Sequence, residues 1–557
     1  MKKKLIFKIL LLIVSNLLFS QEALKSIEEE YYDFLSLQGI VERPTLGYRT
    51  LSDSVWSIPS DYDTAHIWKN NNLGTTKILY KNINQGKNWF TKGFFHGLKY
   101  KIYGPEWFNS YNTTAPYGQN DGALWQGKGY NTSFSTGFRL EGYGFEISFK
   151  PQFCFSQNLK FEIMPSNYDS EFGYFWGYEK NVGVDKPQRF GDKSFATFDW
   201  GNSEIRYTWK NFTIGFGTQS IWLGPAQINP ILHSNNAATY PKIDIGLRKS
   251  EINIPWCDLY LGDLEFRCWA GKLTESDYFD NDESNNNSIL YGFSLFYSPS
   301  FIRNFTLGLN RVILFNFNKQ NLINFYRLFS LKKINISDKD SGEDQKISIV
   351  LDWHFSTIGF EFYTEIGFDD FTSDILSNPF HTAIYTIGIK QFIPTKFKNL
   401  DFLLSFEWNN FEMSQDFQMQ WKYMGFYSHH LINKGYTNRG EIIGAGTGYF
   451  GNSQFINLQM YYPKGKTSLH YHRHSPNTNY IYNKTINSSD AANSSTAEKY
   501  YATYQTYHDI GIKQLFFINC SAFIQFSFDY IYIRHNNFIK KNDCTNIKID
   551  FLFSIKF

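Results

Sequence analysis

The sequence predicts an all-β barrel that spans a membrane, preceded by a small helical segment. Three observations support this fold class: segments that alternate between apolar and polar residues recur along the chain, aromatic residues make up 19% of it, and the mean hydropathy is only −0.39. Beyond the N-terminal leader, no stretch reaches the roughly 18 consecutive apolar residues of a membrane helix. The strands of a membrane barrel are apolar only at alternate positions and carry aromatic residues at both membrane interfaces, which explains this combination.

The last segment of the chain shows the alternation most clearly. One face carries Ile547, Ile549, Phe551, Phe553, Ile555 and Phe557, and the other carries Lys548, Asp550, Ser554 and Lys556. Leu552 is the exception, an apolar residue on the polar face. Successive side chains of a strand point to opposite sides, and about 9–11 tilted residues cross a bilayer, so we predict a membrane strand here. A final strand that ends on an aromatic residue resembles the signal by which bacterial outer-membrane barrels engage their assembly machinery.

Residues 1–20 are predicted to be a secretory signal peptide. A basic start at Met1–Lys4 precedes the short apolar run Leu5–Phe19, and the small residue Ser20 suits cleavage before Gln21. Cleavage removes the four lysines of this segment and no acidic residue, which changes the formal net charge from +2 to −2. A nearly neutral mature chain gives no electrostatic basis for binding nucleic acid. Export and the barrel pattern together predict a place in the outer membrane, in contact with its lipid.

The chain divides into three predicted parts: the signal peptide 1–20, a helical and irregular segment 21–90, and the barrel 91–557. Apolar residues recur at helical spacing between Glu22 and Gly39, where the glycine is a stop signal. We expect this segment on the periplasmic side, packed under or into the barrel, because its apolar helix face needs a partner. A soluble β-sandwich is the alternative, but a chain of this length would then form several domains, and no proline- or serine-rich linker separates them.

Strand-like segments follow one another through the barrel region. The clearest are 138–141, 144–155, 204–209, 347–355, 358–366 and 524–532. Unpaired backbone groups are costly in hydrocarbon, so a membrane sheet cannot leave an open edge and must close into a barrel. Tight turns at Gly142–Gly144 and Lys210–Asn211 are expected at the periplasmic end. Long polar connections at 165–193, 274–288 and 474–499 are expected outside the cell.

Charged residues on the strands are expected to face the lumen by the same alternation. This group consists of Arg139, Glu141, Glu204, Arg206, Glu265, Arg267, Glu361, Glu365 and Glu407. Such residues could form a charged constriction that selects solutes. The alternative, which we favour, is a solvated lumen wall that is stabilised by cross-strand ion pairs.

Three blocks of sequence resemble the Wzi family of capsule-assembly outer-membrane proteins. The blocks are Asn120–Gly129 (NDGALWQGKG), then Trp200–Ser203 with Gly217–Pro225 and Asn229–Ala237, and finally Tyr427–His430 with Gly435–Gly440. The resemblance implies a barrel of about 18 antiparallel strands with a periplasmic helical element. It also implies a surface lectin that helps to attach capsular polysaccharide or exopolysaccharide to the cell. The composition, rich in Asn, Lys, Tyr and Phe, is similar to that of members from Bacteroidetes.

The motif segments contain the candidate residues for polysaccharide binding. They are Asn120, Asp121, Trp125, Gln126, Trp222, Asn229, Ser234, Asn235, Asn236 and Arg439. Flat aromatic rings suit the apolar face of a pyranose, and planar amides and carboxylates suit its hydroxyl groups. The alternative is that the tryptophans pack within a plug and that the asparagines, glycines and prolines serve turn chemistry.

Other chemistry has weaker support in the sequence. His470, His472 and His474 share one strand face, but a metal site needs further ligands and an outer shell, so no metal or cofactor is predicted. The pair His233–Ser234 lies in no G-x-S-x-G motif and no spacing indicates a triad, so no enzymatic activity is predicted. The cysteines match no zinc pattern, and a Cys257–Cys268 disulfide remains open.

The leading hypothesis is a non-enzymatic barrel that binds polysaccharide and holds it at the cell surface. The runner-up is an outer-membrane channel or porin that passes small solutes. The two hypotheses differ in whether the Gln219–Pro241 loop and the Glu22–Asn72 segment block the lumen.

Overall fold

The computed structural model shows a closed barrel of 18 antiparallel strands, which confirms the predicted fold class. The predicted signal peptide, apart from Ser20, and the terminal residue Phe557 lie outside the residues that the structure describes. The described residues are 20–21, 26–59, 62, 65–71, 77–81, 97–166, 170–173, 183–254, 256–257, 259–330, 342–369, 378–397, 399–420, 424–481 and 503–555.

The strands follow chain order around the barrel, and β3 and β4 are each interrupted once. The first nine are β1 (Gly97–Asn112), β2 (Gly129–Gly142), β3 (Phe145–Phe149 and Gln152–Ser156), β4 (Phe195–Asp199 and Glu204–Trp209), β5 (Phe212–Gly217), β6 (Lys242–Ile254), β7 (Leu259–Thr274), β8 (Asn287–Pro299) and β9 (Phe305–Asn316). The other nine are β10 (Glu343–Phe355), β11 (Phe360–Asp369), β12 (Ala383–Pro394), β13 (Asp401–Asn410), β14 (Asn452–Tyr462), β15 (Gly465–Ser475), β16 (Thr506–Asn519), β17 (Ala522–Arg534) and β18 (Cys544–Ile555).

The barrel closes where the last strand pairs with the first. The register of β18 on β1 places Lys548 beside Asn112 and Ser554 beside Glu106. Every barrel strand therefore has a hydrogen-bonded neighbour on both sides. Closure satisfies the backbone groups that hydrocarbon cannot solvate.

The alternation of residues along the strands matches an apolar outer face and a polar inner face. Phe145, Ile205 and Ile549 are exposed on the outside, whereas Glu146 and Arg206 are buried inside. Leu552, the exception in the sequence pattern, points inward with its polar neighbours and packs against a hydrophobic cluster inside the barrel. Its apolar side chain is explained by that contact. The five cysteines are free thiols.

The two ends of the barrel differ in the length of their connections. The predicted tight turns, at Gly142–Gly144 and Lys210–Asn211, lie at one end, and the predicted long connections lie at the other. Short turns face the periplasm in outer-membrane barrels. Two long connections carry short helices, a 3-10 helix at Asn321–Phe329 and an α-helix at Gln415–Gln420.

The segment before the barrel begins with helix α1, Ile27–Leu37, inside the predicted helical range. Ser26 caps its start by accepting a hydrogen bond from the backbone N–H of Glu29 at 3.0 Å. Gly39, with φ of +72°, follows its end, as the sequence predicted. The helix buries Tyr31 and Phe34 against wall residues near the tight turns, including Tyr461. Among the described residues, no helix is long and apolar enough to cross a membrane.

Candidate functional site

Three chain segments pack inside the barrel, and we call them together the plug: residues 26–56, 218–241 and 424–450. The first enters from the tight-turn end and the other two fold in from the end with long connections. They meet in a two-stranded antiparallel sheet that pairs Tyr48–Arg49 with Trp222–Leu223. The plug therefore joins the N-terminal segment to a motif loop across the lumen.

Acidic residues of the strands bind the plug through its backbone. Glu265 on β7 accepts hydrogen bonds from the N–H groups of Leu46 and Tyr48, both at 2.6 Å. Glu407 on β13 accepts from the N–H groups of Gln227 at 2.5 Å and Asn229 at 2.9 Å. A carboxylate is a strong acceptor for backbone N–H groups, so these bonds fix the path of each segment.

The charged wall residues face inward as predicted, and some form the expected cross-strand ion pairs, as Arg139 does with Glu146 at 2.6 Å, but the wall is buried against the plug and not solvated. Glu361 and Glu365 are fully buried: Glu361 pairs with Arg43 of the plug at 2.7 Å, and Glu365 accepts the N–H of Ile231 at 2.9 Å. Neither a solute-selecting constriction nor a solvated wall describes this arrangement. The sequence does not reveal this arrangement, because the alternation along a strand gives the direction in which a side chain points but not the group that it contacts.

Asp53 is the centre of an ion-pair network between plug and wall. Its carboxylate lies 2.7 Å from Arg248 Nε and 2.9 Å from Arg267 Nη2. Burial raises the pKa of Asp53, but the two guanidinium groups outweigh burial and hold that pKa below its usual range. Asp53 is therefore ionised at neutral pH, and removing it would leave buried cations without a partner.

The two motif loops share a buried core. Tyr427 Oη donates to the carbonyl of Ile231 at 2.8 Å, and the His233 imidazole lies between the hydroxyls of Tyr240 and Tyr436 at 2.8 and 3.2 Å. Burial lowers the pKa of His233 to about 3, helped by nearby Lys242, so the ring is neutral. Ser234 Oγ donates to the carbonyl of Gly444 at 2.6 Å. The pair His233–Ser234 is thus occupied with packing the loops together.

Beside the plug lies a cavity of about 940 Å³, which we call the chamber. Its floor is the start of α1, and its inner wall is the plug. Its outer wall consists mainly of inward residues of β1–β3 and β14–β18, with one residue each from β10, β11, β12 and β13. The connection 113–128 between β1 and β2 covers its other end. Seven of the ten candidate residues line the chamber: Asn120, Asp121, Trp125, Gln126, Trp222, Asn235 and Asn236.

The motif NDGALWQGKG gathers polar groups at the chamber surface. Gln126 Nε2 donates to Asp121 Oδ2 at 2.7 Å, and Asn120 Nδ2 donates to the carbonyl of Ile228 at 2.9 Å. These bonds fix the side chains while Gln126 Oε1 and Asn120 Oδ1, together with Asn235 Oδ1, have no partner among the described residues. Buried polar atoms are nearly always paired in native proteins, so three buried and unpaired acceptors on residues that line one chamber need an explanation.

Asp121 differs from Asp53 in its charge state. Burial raises the pKa of its carboxyl to about 6, and the opposing effects of Lys548 and Gln126 do not restore the ordinary value. The group therefore changes from mostly neutral to mostly ionised between pH 5 and 7. Its hydrogen-bonding capacity changes over the same interval.

The two candidate tryptophans have different environments. Trp125 is half-buried and its ring centroid lies 5.1 Å from that of Phe190, which leaves part of the indole at the chamber. Trp222 is fully buried in the plug, and its Nε1 donates to the carbonyl of Ala226 at 3.0 Å. Arg49 lies over the Trp222 ring at 5.6 Å.

The remaining candidates lie away from the chamber. Asn229 is fully buried and its amide donates to Asn409 at 2.8 Å and accepts from Gln119 at 2.6 Å. Arg439 is exposed, and its backbone N–H donates to the carbonyl of Thr274 at 2.7 Å. The structure therefore brings most of the first motif together with the Asn235–Asn236 pair, and it separates them from Ser234 and Arg439.

Sequence reasoning did not select the opposite wall of the chamber as part of the site, although it placed His470 and Lys548 on strand faces. Tyr117 precedes the first motif, and its hydroxyl donates to Asp509 on β16 at 2.9 Å. His470 on β15 and Lys548 on β18 line the same wall. The period-two pattern places these side chains inside the barrel, but strands that are distant in sequence become neighbours only through the barrel register.

The closed barrel, its packed plug and the polar chamber beside the plug place this protein in the class of plugged outer-membrane barrels. The model of the capsule assembly protein Wzi family matches residues 109–503, which is more than half of the chain. The chain belongs to this family, and its place is the outer membrane.

One solved structure agrees with the fold. One similar structure is that of Wzi of Escherichia coli, described as an outer membrane protein involved in group 1 capsule assembly and as a carbohydrate-binding β-barrel. It has 12% sequence identity and a TM-score of 0.52, with 82% of this chain and 85% of that chain covered. OprD of Pseudomonas aeruginosa also matches, with 9% identity, a TM-score of 0.37 and coverage of 84% and 95%. No curated protein sequence matches the chain.

Proposed function

We propose that this barrel binds capsular polysaccharide or exopolysaccharide in the chamber and helps to assemble or retain it at the cell surface, without catalysis. The observation that carries the proposal is the set of three unpaired amide oxygens, on Asn120, Gln126 and Asn235, beside the half-buried ring of Trp125. Sugar hydroxyls donate hydrogen bonds to such oxygens, and an indole face packs against the apolar face of a pyranose.

Membership of the family and the similarity to Wzi of Escherichia coli support this proposal. That protein is described as a carbohydrate-binding barrel with a part in capsule assembly. The chamber of the present chain is formed largely by the family motifs, and its volume of about 940 Å³ is within the range of ligand pockets. The polysaccharide partner is therefore expected to enter at the end with the long connections, where the motif 120–129 lies.

A binding experiment with two matched variants tests the proposal. The purified barrel, in detergent, is sedimented with the polysaccharide of its own cells, and wild type is compared with Gln126→Leu. Removing one hydrogen-bonding group at the chamber should weaken retention by about fivefold to tenfold. Arg439→Ala, which lies outside the chamber, should retain polysaccharide like wild type. Equal retention by wild type and Gln126→Leu would count against the chamber as the binding site.

The same proposal predicts a phenotype in cells. Deletion of the gene should shift polysaccharide from the cell-associated fraction to the shed fraction, with total synthesis little changed. A loss of synthesis with no change in the ratio of the two fractions would contradict a role in retention.

We also propose how the chain reaches its place and how it is divided. Residues 1–20 are a signal peptide, residues 21–90 form the periplasmic segment that supplies part of the plug, and residues 91–557 form the barrel. Phe557 is the contact for the barrel-assembly machinery, and the outward apolar face contacts the lipid. Deleting Phe557 should lower the amount of heat-modifiable barrel in the outer membrane; an unchanged amount would rule out this role.

A further inference from the structure

Three neighbouring strands bring an imidazole and two carboxylates together on the chamber wall. His470 on β15 pairs in register with Gly511 on β16, and Gly511 pairs with Asp529 on β17. Asp509, two residues before Gly511 on the same inward face, completes the group. The four residues therefore occupy adjacent inward positions across β15, β16 and β17.

Gly511 makes the close approach of these side chains possible. A Cβ atom at this position would lie 2.0 Å from Asp529 Oδ1 and 2.3 Å from His470 Cε1. Both side chains therefore occupy the space above the glycine. Any other residue at this position would push the imidazole and the carboxylate apart.

The distances between the polar atoms suit a metal ion. His470 Nε2 lies 3.3 Å from Asp509 Oδ2 and 3.4 Å from Asp529 Oδ1, and the three atoms all lie within 4.8 Å of one another. A tetrahedral zinc ion with bonds of about 2.0–2.2 Å separates its ligand atoms by roughly 3.3–3.5 Å. Small movements of the side chains would bring all three atoms into a coordination shell.

The charge of the surroundings also favours a cation. Asp509, Asp529 and Asp550 are all buried on this wall, and Lys548 forms an ion pair with Asp550 at 3.1 Å. Asp509 is 3% exposed, and its Oδ1 has no partner among the described residues. Buried carboxylates need compensating positive charge, and a divalent ion would supply two positive charges at this wall.

Neighbouring hydroxyl groups already orient the carboxylates. Tyr117 Oη donates to Asp509 Oδ2 at 2.9 Å, and Ser527 Oγ donates to Asp529 Oδ2 at 3.1 Å. Hydrogen bonds of this kind fix the ligands of metal sites. The rings of His472 and His474 stack on each other with their centroids 5.0 Å apart. The cluster is therefore one histidine with two aspartates, and not the three-histidine arrangement considered from the sequence.

We propose that His470, Asp509 and Asp529 form a binding site for a divalent transition-metal ion of the Zn²⁺ class. An imidazole ligand favours such ions over Mg²⁺ and Ca²⁺, which prefer oxygen ligands throughout. Three protein ligands leave a fourth position that faces the chamber. The site is independent of the proposed polysaccharide binding, although a sugar hydroxyl in the chamber could occupy that position.

Metal binding by the purified barrel tests this proposal without any polysaccharide. The full mature chain is treated with a chelator, titrated with ZnCl₂ by calorimetry, and analysed for bound zinc after desalting. Wild type should bind one ion per chain. His470→Gln and Asp529→Asn should each bind Zn²⁺ at least about tenfold more weakly.

His508→Gln is the matched control, because His508 lies on β16 but points outward and contacts Tyr471. It should bind Zn²⁺ like wild type. Heat-modifiability on gels identifies any variant that fails to fold, and Asp529→Asn, which keeps the size of the side chain, serves if His470→Gln does not fold. No zinc retained by wild type, or equal binding by wild type and a folded ligand variant, would overturn the proposal.

Discussion

Asn229 and Asn235 belong to the same connection between β5 and β6 but differ in what surrounds their side chains. The Asn229 amide is fully buried and hydrogen-bonded on both its nitrogen and its oxygen. The Asn235 side chain lines the chamber, and its Oδ1 has no partner among the described residues. One asparagine therefore stabilises the plug, whereas the other has hydrogen-bonding capacity for a ligand.

The same contrast extends to the two sides of the lumen. Towards β6–β13, charged wall residues are paired with plug groups, as Glu407 is with the N–H of Asn229 and Arg248 is with Asp53. Towards β1–β3 and β14–β18, the chamber lies between much of the wall and the plug, although Lys466 on β15 forms an ion pair with Glu30 of the plug. An unpaired buried polar group lowers stability. The presence of such a group beside a cavity therefore indicates a binding function more strongly than a fully paired group does.

The largest effect is expected from a substitution that removes the ion pairs between the plug and the wall. Asp53→Ala removes the partner of Arg248 and Arg267, and removal of one member of a buried ion pair costs about 3–5 kcal/mol. The plug should loosen, and single-channel recordings in a planar bilayer should change from little conductance to frequent openings. Asp282→Ala, in an exposed connection, is the control and should behave like wild type. Large and steady conductance of the wild type would instead favour the channel hypothesis.

The two tryptophans sharpen the comparison. Trp222→Ala creates a hole in the plug and should lower the free energy of unfolding by about 3–5 kcal/mol. Trp125→Ala should leave thermal unfolding nearly unchanged and weaken polysaccharide retention by about fivefold, since it removes an aromatic face at the chamber. Thermal melting and co-sedimentation measure the two effects. If Trp222→Ala lost retention at full stability, the assignment of Trp222 to packing would be wrong.

Substitutions of the two asparagines should have smaller effects but should distinguish stability from polysaccharide retention more clearly. Asn229→Ala leaves several buried partners unpaired and should cost about 1–3 kcal/mol of stability. Asn235→Ala removes no hydrogen bond of its side-chain oxygen, so stability should stay constant while retention falls by about threefold to tenfold. The same melting and sedimentation assays apply. Equal loss of stability in both variants would remove the distinction between the two sides.

The smallest effect concerns pH. The pKa of Asp121 is raised to about 6, so the carboxylate forms as the pH rises from 5 to 7. Only the ionised form accepts hydrogen bonds on all its lone pairs, so polysaccharide retention should strengthen about threefold over this interval. Ionisation of a buried carboxyl opposes folding, so wild type should lose stability relative to Asp121→Asn as the pH rises through about 6. Asp121→Asn should show no pH dependence of retention over this interval.

Sequence reasoning reached the fold because the alternation along a barrel strand reveals its orientation. The alternation around Phe145, Ile205 and Ile549 identifies the outer face, and the backbone has to close in hydrocarbon. The motif segments also supplied seven candidate residues that line the chamber, through the resemblance to the family. Asn229 and Ser234 could not be separated from Asn235 in this way, because neighbouring loop residues of similar chemistry are distinguished only by the partners they meet.

Local chemistry in the sequence thus determined the membrane strands, the inward direction of charged side chains and the family. The tertiary structure decided what the inward residues meet. The plug forms because residues 48–49 and 222–223, far apart in the chain, pair inside the lumen. The chamber wall forms because closure places β18 beside β1 and because the register of the consecutive strands β15–β17 sets His470, Asp509 and Asp529 side by side. Such contacts depend on register and on loop folding, which no periodic pattern in a single strand reveals.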